Sequence, residues 1–282
     1  MESRSVIITG SSTGIGEACA LRLHAEGWRV FAGVRRQEDG DALRAKTSDR
    51  LIPLILDVTS GEQIALAMAR ARECVGDAGL QGLVNNAGIG VGGPLEFLPI
   101  EELRRQLEVN VVGLVAVTQV FLPLIRAGKG RIVNISSVSG LLYTPFAGPY
   151  CASKFAVEAI SDAWRGELRP GGIHVALVEP GDVATPIWEK TRVFAARIKA
   201  SFSDECLQLY GHAIKKMEAI VDFSERGGVP PDRVARKVSS ALTARRPKTR
   251  YLVARGARIQ AFLGAYVPDR ARDWIFDQML RR

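Results

Sequence analysis

Cysteine is scarce: Cys19, Cys74, Cys151 and Cys206 are the four in 282 residues, widely separated and without a C-x-x-C spacing. That excludes a disulfide-stapled scaffold or a zinc ribbon. It fits a chain whose thiols stay reduced, which points to a cytoplasmic setting. Histidine is scarcer still, and His24, His174 and His212 show no metal-ligand spacing, so no metal is expected. The chain shows no internal repeat, low-complexity tract or interdomain linker, so residues 1–282 read as a single domain. Met1 to Arg4 lead straight into an apolar segment, which leaves no signal peptide, and no apolar run reads as long enough to span a membrane.

Charge is unevenly placed. Residues 230–282 hold thirteen Lys/Arg against four Asp/Glu, a balance of +9 within a net +8, which leaves −1 for residues 1–229. From Gly256 on, arginines alternate with Ile259, Phe262, Leu263, Tyr266 and Val267, then with Trp274, Ile275, Phe276 and Leu280. A basic amphipathic segment of this kind, 256–282, can pack on the body, cover a substrate entrance, join subunits or make a peripheral contact with an anionic membrane. Pro268 breaks it into short pieces, so burial of Trp274, Ile275 and Phe276 against protein is the favoured reading. Nothing resembles a nucleic-acid reading module.

Apolar runs predict strands at 4–9, 28–34, 51–56, 81–85, 129–136, 173–179 and 248–253. Helical patterns near 14–26, 60–75, 100–127 and 149–169 alternate with them. Because most of these strands are continuous apolar runs, helices are expected on both faces, which predicts an α/β fold: a Rossmann-type doubly wound parallel sheet. The stretch 187–228 is expected to be an insertion of lid helices.

Chemistry enters at the first strand–helix junction. Ser5-Val6-Ile7-Ile8-Thr9-Gly10 is followed by Ser11-Ser12-Thr13-Gly14-Ile15-Gly16 and then a helix. Glycines between a strand and a helix let the backbone approach a pyrophosphate, and the helix offers free N–H groups and the positive end of its dipole. A plain glycine-rich turn is the bland alternative. The second signal is Tyr150 and Lys154, whose i, i+4 spacing stacks an ammonium near a phenol on one helix face. A free phenol has a pKa of about 10, and a nearby cation favours its ionised form, as a general acid/base tyrosine requires. Such a pair alone is more often a solvated helix face. Here Ser137 lies thirteen residues upstream, where an apolar strand ends in small polar residues, the place where open parallel sheets bind ligands.

These motifs resemble those of the classical short-chain dehydrogenases/reductases, particularly hydroxysteroid and retinol-type members. Thr9-Gly10-x-x-x-Gly14-Ile15-Gly16 is similar to the family's cofactor loop, Asn85-Asn86-Ala87-Gly88 to its segment after the fourth strand, and Ser137, Tyr150 and Lys154 to its catalytic residues. Asn110 falls where the fourth catalytic residue sits, and Pro180-Gly181 with Val183 and Thr185 where the nicotinamide carboxamide is held. The resemblance covers about residues 3–190 with every motif in order.

It implies that Tyr150 exchanges a proton with the substrate oxygen while hydride moves at the nicotinamide. Lys154 would lower the Tyr150 pKa and bind the ribose, and Ser137 would orient the oxygen. Asn110 would hold a water linking Lys154 to solvent, against the bland reading of a kink or a satisfied core amide. Family members that prefer NAD place an acid at the end of the second strand; here Val34 takes that position and Arg35 and Arg36 follow, which implies NADP(H), with NAD(H) as the alternative. Asp57, followed by Val58, resembles the residue that binds the adenine amino group.

The expected substrate wall is Val138, Leu141, Leu142, Tyr143, Phe146 and Trp188, which suits a lipophilic alcohol or ketone of the steroid or retinoid class. A homodimer or homotetramer is expected through helices 100–127 and 149–169, with Ala156, Val157, Ile160, Ala163 and Trp164 as apolar surface on the second. The rival readings are a nucleotide-sugar epimerase or dehydratase, whose loop glycines are spaced differently, and a non-catalytic dinucleotide sensor, which would need no proton relay.

Overall fold

The computed structural model describes residues 4–200, 202–254 and 256–281; Met1 to Ser3, where the leader reading begins, and Arg282 at the end of the tail lie outside them. Seven strands form one parallel sheet: β1 (Ser5–Ile8), β2 (Arg29–Val34), β3 (Leu51–Ile55), β4 (Gly82–Asn85), β5 (Arg131–Ile135), β6 (His174–Pro180) and β7 (Arg250–Val253). Their order is β3-β2-β1-β4-β5-β6-β7, so the winding reverses between β1 and β4. A reversal of this kind leaves a crevice beyond the carboxyl ends of the two strands, where ligands bind in open α/β sheets.

Alternation along β1 shows how the strands are buried. Val6 and Ile8 turn to one face, where Leu23 of α1 (Gly14–Ala25) and Val234 and Val238 of α9 (Pro231–Thr243) cover them. Ile7 turns to the other, against Phe31 and the helices α3 (Gly61–Val75) and α5 (Gly113–Ala127), which supply Ile64, Val117 and Phe121. Each such fully buried side chain contributes about 1.5–3 kcal/mol. A polar seam crosses this core. Asn85 Nδ2 donates to Asn134 Oδ1 and to Thr118 Oγ1, both at 2.9 Å, and Asn134 Nδ2 donates to Ser161 Oγ at 2.8 Å. It ties β4 and β5 to α5 and to α6 (Gly148–Leu168).

Some sequence expectations change. The 100–127 pattern is not one helix: α4 (Ile100–Leu107) passes through a π-helical turn, Glu108–Val112, into α5. By length and composition Ile100–Ala127 does reach membrane-spanning size, contrary to expectation, but it is a core run whose Val117, Phe121, Leu124 and Ile125 pack on the sheet. Two helices were not foreseen: α2 (Gln37–Arg44), half of whose residues are charged, and α9, which opens on Pro231 but turns Val234, Val238 and Leu242 to the core at helical spacing. On α6, Val157 is fully buried and Trp164 packs on the core, so the outward apolar side is instead Phe155, Ala159 and Ala163.

The 187–228 stretch forms α7 (Ile187–Lys199) and α8 (Asp204–Gly227), rejoining the body where Val183 pairs with Val229. The tail forms α10 (Ala257–Tyr266) and α11 (Asp269–Arg281), broken at Pro268. Phe276 stacks on Tyr143, but Trp274 is 64 % and Ile275 39 % exposed, so burial of all three is not observed. The helix pair is seated by Gly264, where a β-carbon would stand 2.0 Å from the Leu141 carbonyl oxygen. Gly264→Ala must therefore push α10 off segment 138–142. Overpacking of this kind costs about 1–3 kcal/mol, a fall in Tm of roughly 2–12 °C that calorimetry would read. An unchanged Tm would mean that α10 is not seated there.

Candidate active site

The crevice at the β1/β4 reversal opens into a cleft of about 1360 Å³. Its floor is the turn from β1 into α1. Gly10 and Gly14 have φ of +66° and +64°, where a side chain is strained. Gly16 is required for space: a β-carbon there would lie 2.1 Å from the Gly10 carbonyl oxygen. Asn86 clamps this turn to the end of β4, its Nδ2 donating to the carbonyls of Thr9 and Gly10 at 3.0 Å each. Thr9 Oγ1 accepts in return from the backbone N–H groups of Asn86 and Ala87, both at 3.0 Å. Gly10, Ser12, Thr13, Gly14 and Ile15 line the cleft, and Gly16 packs behind them. Bare backbone at a helix N-terminus is a fit for a pyrophosphate.

At one end Val34, Arg35, Asp57 and Val58 line the cleft. Asp57 carboxylate accepts from Thr59 N and Thr59 Oγ1 at 2.9 and 2.8 Å, which fixes its turn. Arg36 does not reach the cleft: it turns out to solvent and pairs with Asp39 at 2.9 Å. Along the middle stand Ala87 and Gly88 on one side and Pro180, Gly181, Val183 and Thr185 on the other.

Three reacting-type side chains meet where β5 and α6 approach. Ser137 caps a short 3₁₀ turn, its Oγ accepting from Ser139 N at 3.1 Å and donating to the Pro180 carbonyl at 3.4 Å. Lys154 is buried, and its Nζ donates to the Ile135 carbonyl at 2.9 Å while standing 5.7 Å from the Tyr150 ring centre. Burial pulls the Lys154 ammonium down to about 8, against an opposing pull from the Glu158 carboxylate. Tyr150 is pushed above the ordinary phenol value by burial, with a hydrogen bond to Ser137 acting the other way. The phenol is thus raised rather than lowered: desolvation outweighs the neighbouring ammonium, one of whose three donors goes to the Ile135 carbonyl.

Asn110 lies at the π-helical turn, behind Gly88 rather than on the cleft wall. Its amide is occupied: Oδ1 accepts from Ile89 N at 2.9 Å, and Nδ2 donates to the Ile89 carbonyl and to Ser153 Oγ at 3.0 and 3.1 Å. The observed side-chain contacts are those of a satisfied core amide at the π-helical turn. Gln106, one turn earlier and absent from the sequence reading, binds Val91 N and the Ile89 carbonyl at 2.7 and 2.8 Å. Its i, i+4 spacing from Asn110 was the available signal.

At the far end Val138, Leu142, Phe146 and Trp188 line the cleft as expected, joined by Leu263 of α10 and Phe276 of α11. Leu141 and Tyr143 do not line it. Leu141 carries Gly264, and Tyr143 hydrogen-bonds Asp273, so both hold the tail in place.

Comparison with known proteins agrees with this geometry. The short chain dehydrogenase family profile matches residues 4–196. An NADPH-dependent 3-dehydrocapnine reductase from Ornithobacterium rhinotracheale is 38 % identical over 99 % of this chain and 98 % of that protein. A 17-beta-hydroxysteroid dehydrogenase type 6 from Bos taurus is 38 % identical over 98 % of this chain and 88 % of its own. Among solved structures, a short chain dehydrogenase/reductase from Burkholderia phymatum in complex with NAD superposes with a TM-score of 0.79 at 26 % identity, covering 98 % of this chain and 95 % of that one. The chain belongs to the short-chain dehydrogenase family, oxidoreductases that bind a nicotinamide dinucleotide and act on CH–OH groups.

The tightest element of the dinucleotide cradle is Gly16. In Gly16→Ala the new methyl meets the Gly10 carbonyl and Asn86 Nδ2, which a β-carbon would approach to 2.1 and 2.5 Å. Dinucleotide affinity should fall at least about tenfold, or ~1.4 kcal/mol, in a fluorescence titration. Wild-type affinity would show that the turn does not form the cradle.

Proposed function

We propose that this protein is an NADP(H)-dependent oxidoreductase that interconverts a lipophilic secondary alcohol and its ketone, of a steroid- or retinoid-like class, with Tyr150 as general acid/base. The observation that carries this reading is the cleft itself: Tyr150, Ser137 and Lys154 stand between the glycine-lined turn and a wall built from Val138, Leu142, Phe146 and Trp188. An apolar wall with a few convergent polar groups suits a lipophilic carbonyl better than a sugar.

The bound dinucleotide supplies the hydride. For reduction, Tyr150 gives its phenolic proton to the substrate oxygen, and Ser137 donates a hydrogen bond to that oxygen and holds it in line. A phenol raised by burial is fully protonated at neutral pH, which favours reduction. Lys154 stabilises the phenolate that forms and binds the nicotinamide ribose. Its cation is lost as pH rises through about 8, so activity should decline above that value.

Preference for NADP(H) is supported by Val34 in place of an acid and Arg35 on the cleft wall, and by the NADPH dependence named for the bacterial relative; NAD(H) is the alternative. In this reading 187–228 is the lid and 256–282 the rim of the substrate entrance, within one domain. The cysteines are all free and three are buried, which supports a cytoplasmic setting. The outward Phe155, at 45 % exposure, supports a homodimer or homotetramer through α6.

Tyr150→Phe should lower kcat at least about a hundredfold while leaving NADPH affinity unchanged, because it removes the proton and keeps the ring. Turnover near wild type would refute the proton assignment. Arg35→Ala should weaken NADPH by about one to two orders of magnitude and barely touch NADH. Equal losses for both would place Arg35 away from the 2′-phosphate.

A further inference from the structure

The spacing that joins Tyr150 to Lys154 does not stop there. Glu158 and Asp162 follow at the same interval, so α6 carries a column of four titratable side chains, each one turn below the last. The middle of the column is deep: Lys154 is 7 % and Glu158 6 % exposed. Gly140 packs against both residues, since a β-carbon there would stand 2.9 Å from the Lys154 carbonyl and 3.0 Å from Glu158 Cγ.

A single guanidinium closes the lower end. Arg250 Nη2, from β7, lies 3.0 Å from Glu158 Oε2 and 2.8 Å from Asp162 Oδ2, while its Nε lies 3.1 Å from Glu179 Oε1 on β6. Glu179 is 1 % exposed. Asp162 has a second partner in Arg165. Three carboxylates therefore face two guanidinium groups, and among the described residues Lys154 stands one turn above Glu158 on the same helix, its Nζ on the Ile135 carbonyl and not in a direct ion pair. Buried charge persists only when compensated, so the acid nearest Lys154 and the ammonium stabilise one another.

We propose that Glu158, held by Arg250, is the counter-ion that keeps Lys154 charged in its buried position, and so acts as a positioning residue for the Tyr150–Lys154 couple. This rests on the reading of that couple as the proton relay. Arg250 lies outside the 4–196 segment that the family profile matches. The remaining neighbours of Lys154 do not replace Glu158. Tyr150 is neutral, β5 carries its one charge, Arg131, at the opposite end, and turn 138–140 carries none. Across the cleft, Arg105 of α4, Glu108 of the π-helical turn and Asp182 after β6 line the open space. Burial raises both buried acids of the cluster: Glu179 goes up to about 7, pushed further by Glu158, while Ser136 and Arg250 oppose the rise at Glu158.

The direct test follows the Lys154 amine by NMR in full-length protein labelled with ¹³C-lysine, its signal assigned by loss in Lys154→Arg. The wild-type titration should centre near 8. In Glu158→Gln, and in the apolar Glu158→Met, the midpoint should fall by about one pH unit or more, because an anion that favours the ammonium is gone. Either variant suffices if the other does not fold. The alkaline limb of the kcat profile should move to lower pH by the same amount, whereas a merely structural defect would lower kcat equally at every pH. A Lys154 midpoint unmoved in the folded variant overturns the proposal. If the midpoint moves as expected but wild-type protein reduces no lipophilic carbonyl, the pairing stands and the proposed activity fails.

Discussion

An ammonium taken out of water at the mouth of a parallel sheet is the constraint on which this site is built. Lys154 loses hydration and recovers one hydrogen bond from the Ile135 carbonyl, and its pKa still drops to about 8. An uncompensated buried cation would deprotonate or drag the helix outward. The surroundings are arranged against both outcomes: Glu158 lies one turn below it, and α6 is anchored through Ser161 to the polar seam that links β4 and β5. Tyr150, one turn above, gains a position beside a charge and is protonated by the same burial.

The sheet decides where this can occur. Only at the reversal between β1 and β4 do two strand ends diverge enough to leave a crevice, and the glycine turn and Asn86 occupy that point. Chemistry at the end of β5 therefore falls beside a cradle built at the end of β1. The substrate side joins the segment 138–146, between β5 and α6, to elements added later in the chain, with α7, α8, α10 and α11 completing its apolar wall.

Legibility followed the range of the interactions. All seven strands lie within two residues of their apolar runs, because a strand buried on both faces is apolar by necessity. The glycine turn, Ser137, Tyr150 and Lys154 were visible because their chemistry demands fixed local spacing. What packing at a distance decides was not. Leu141 and Tyr143 have the composition of a pocket wall, yet Gly264 and Asp273 from the tail claim them. Arg36 looked equivalent to Arg35 until Asp39 took it. Arg250 carried no sequence signal toward Glu158, ninety-two positions away. Asn110 was placed by the family resemblance, but its partner at Ile89 and the π-helical turn required coordinates.

The central claim is that hydride passes between the dinucleotide and a lipophilic carbonyl carbon held in this cleft. The most direct measurement is isotope transfer: full-length protein, NADPH deuterated at the nicotinamide C4, and a panel of lipophilic ketones, with the products read by mass spectrometry. The account predicts an alcohol carrying one deuterium at the carbinol carbon, formed by wild type and lost in Tyr150→Phe. Saturable NADPH binding with no labelled alcohol from any ketone would contradict it.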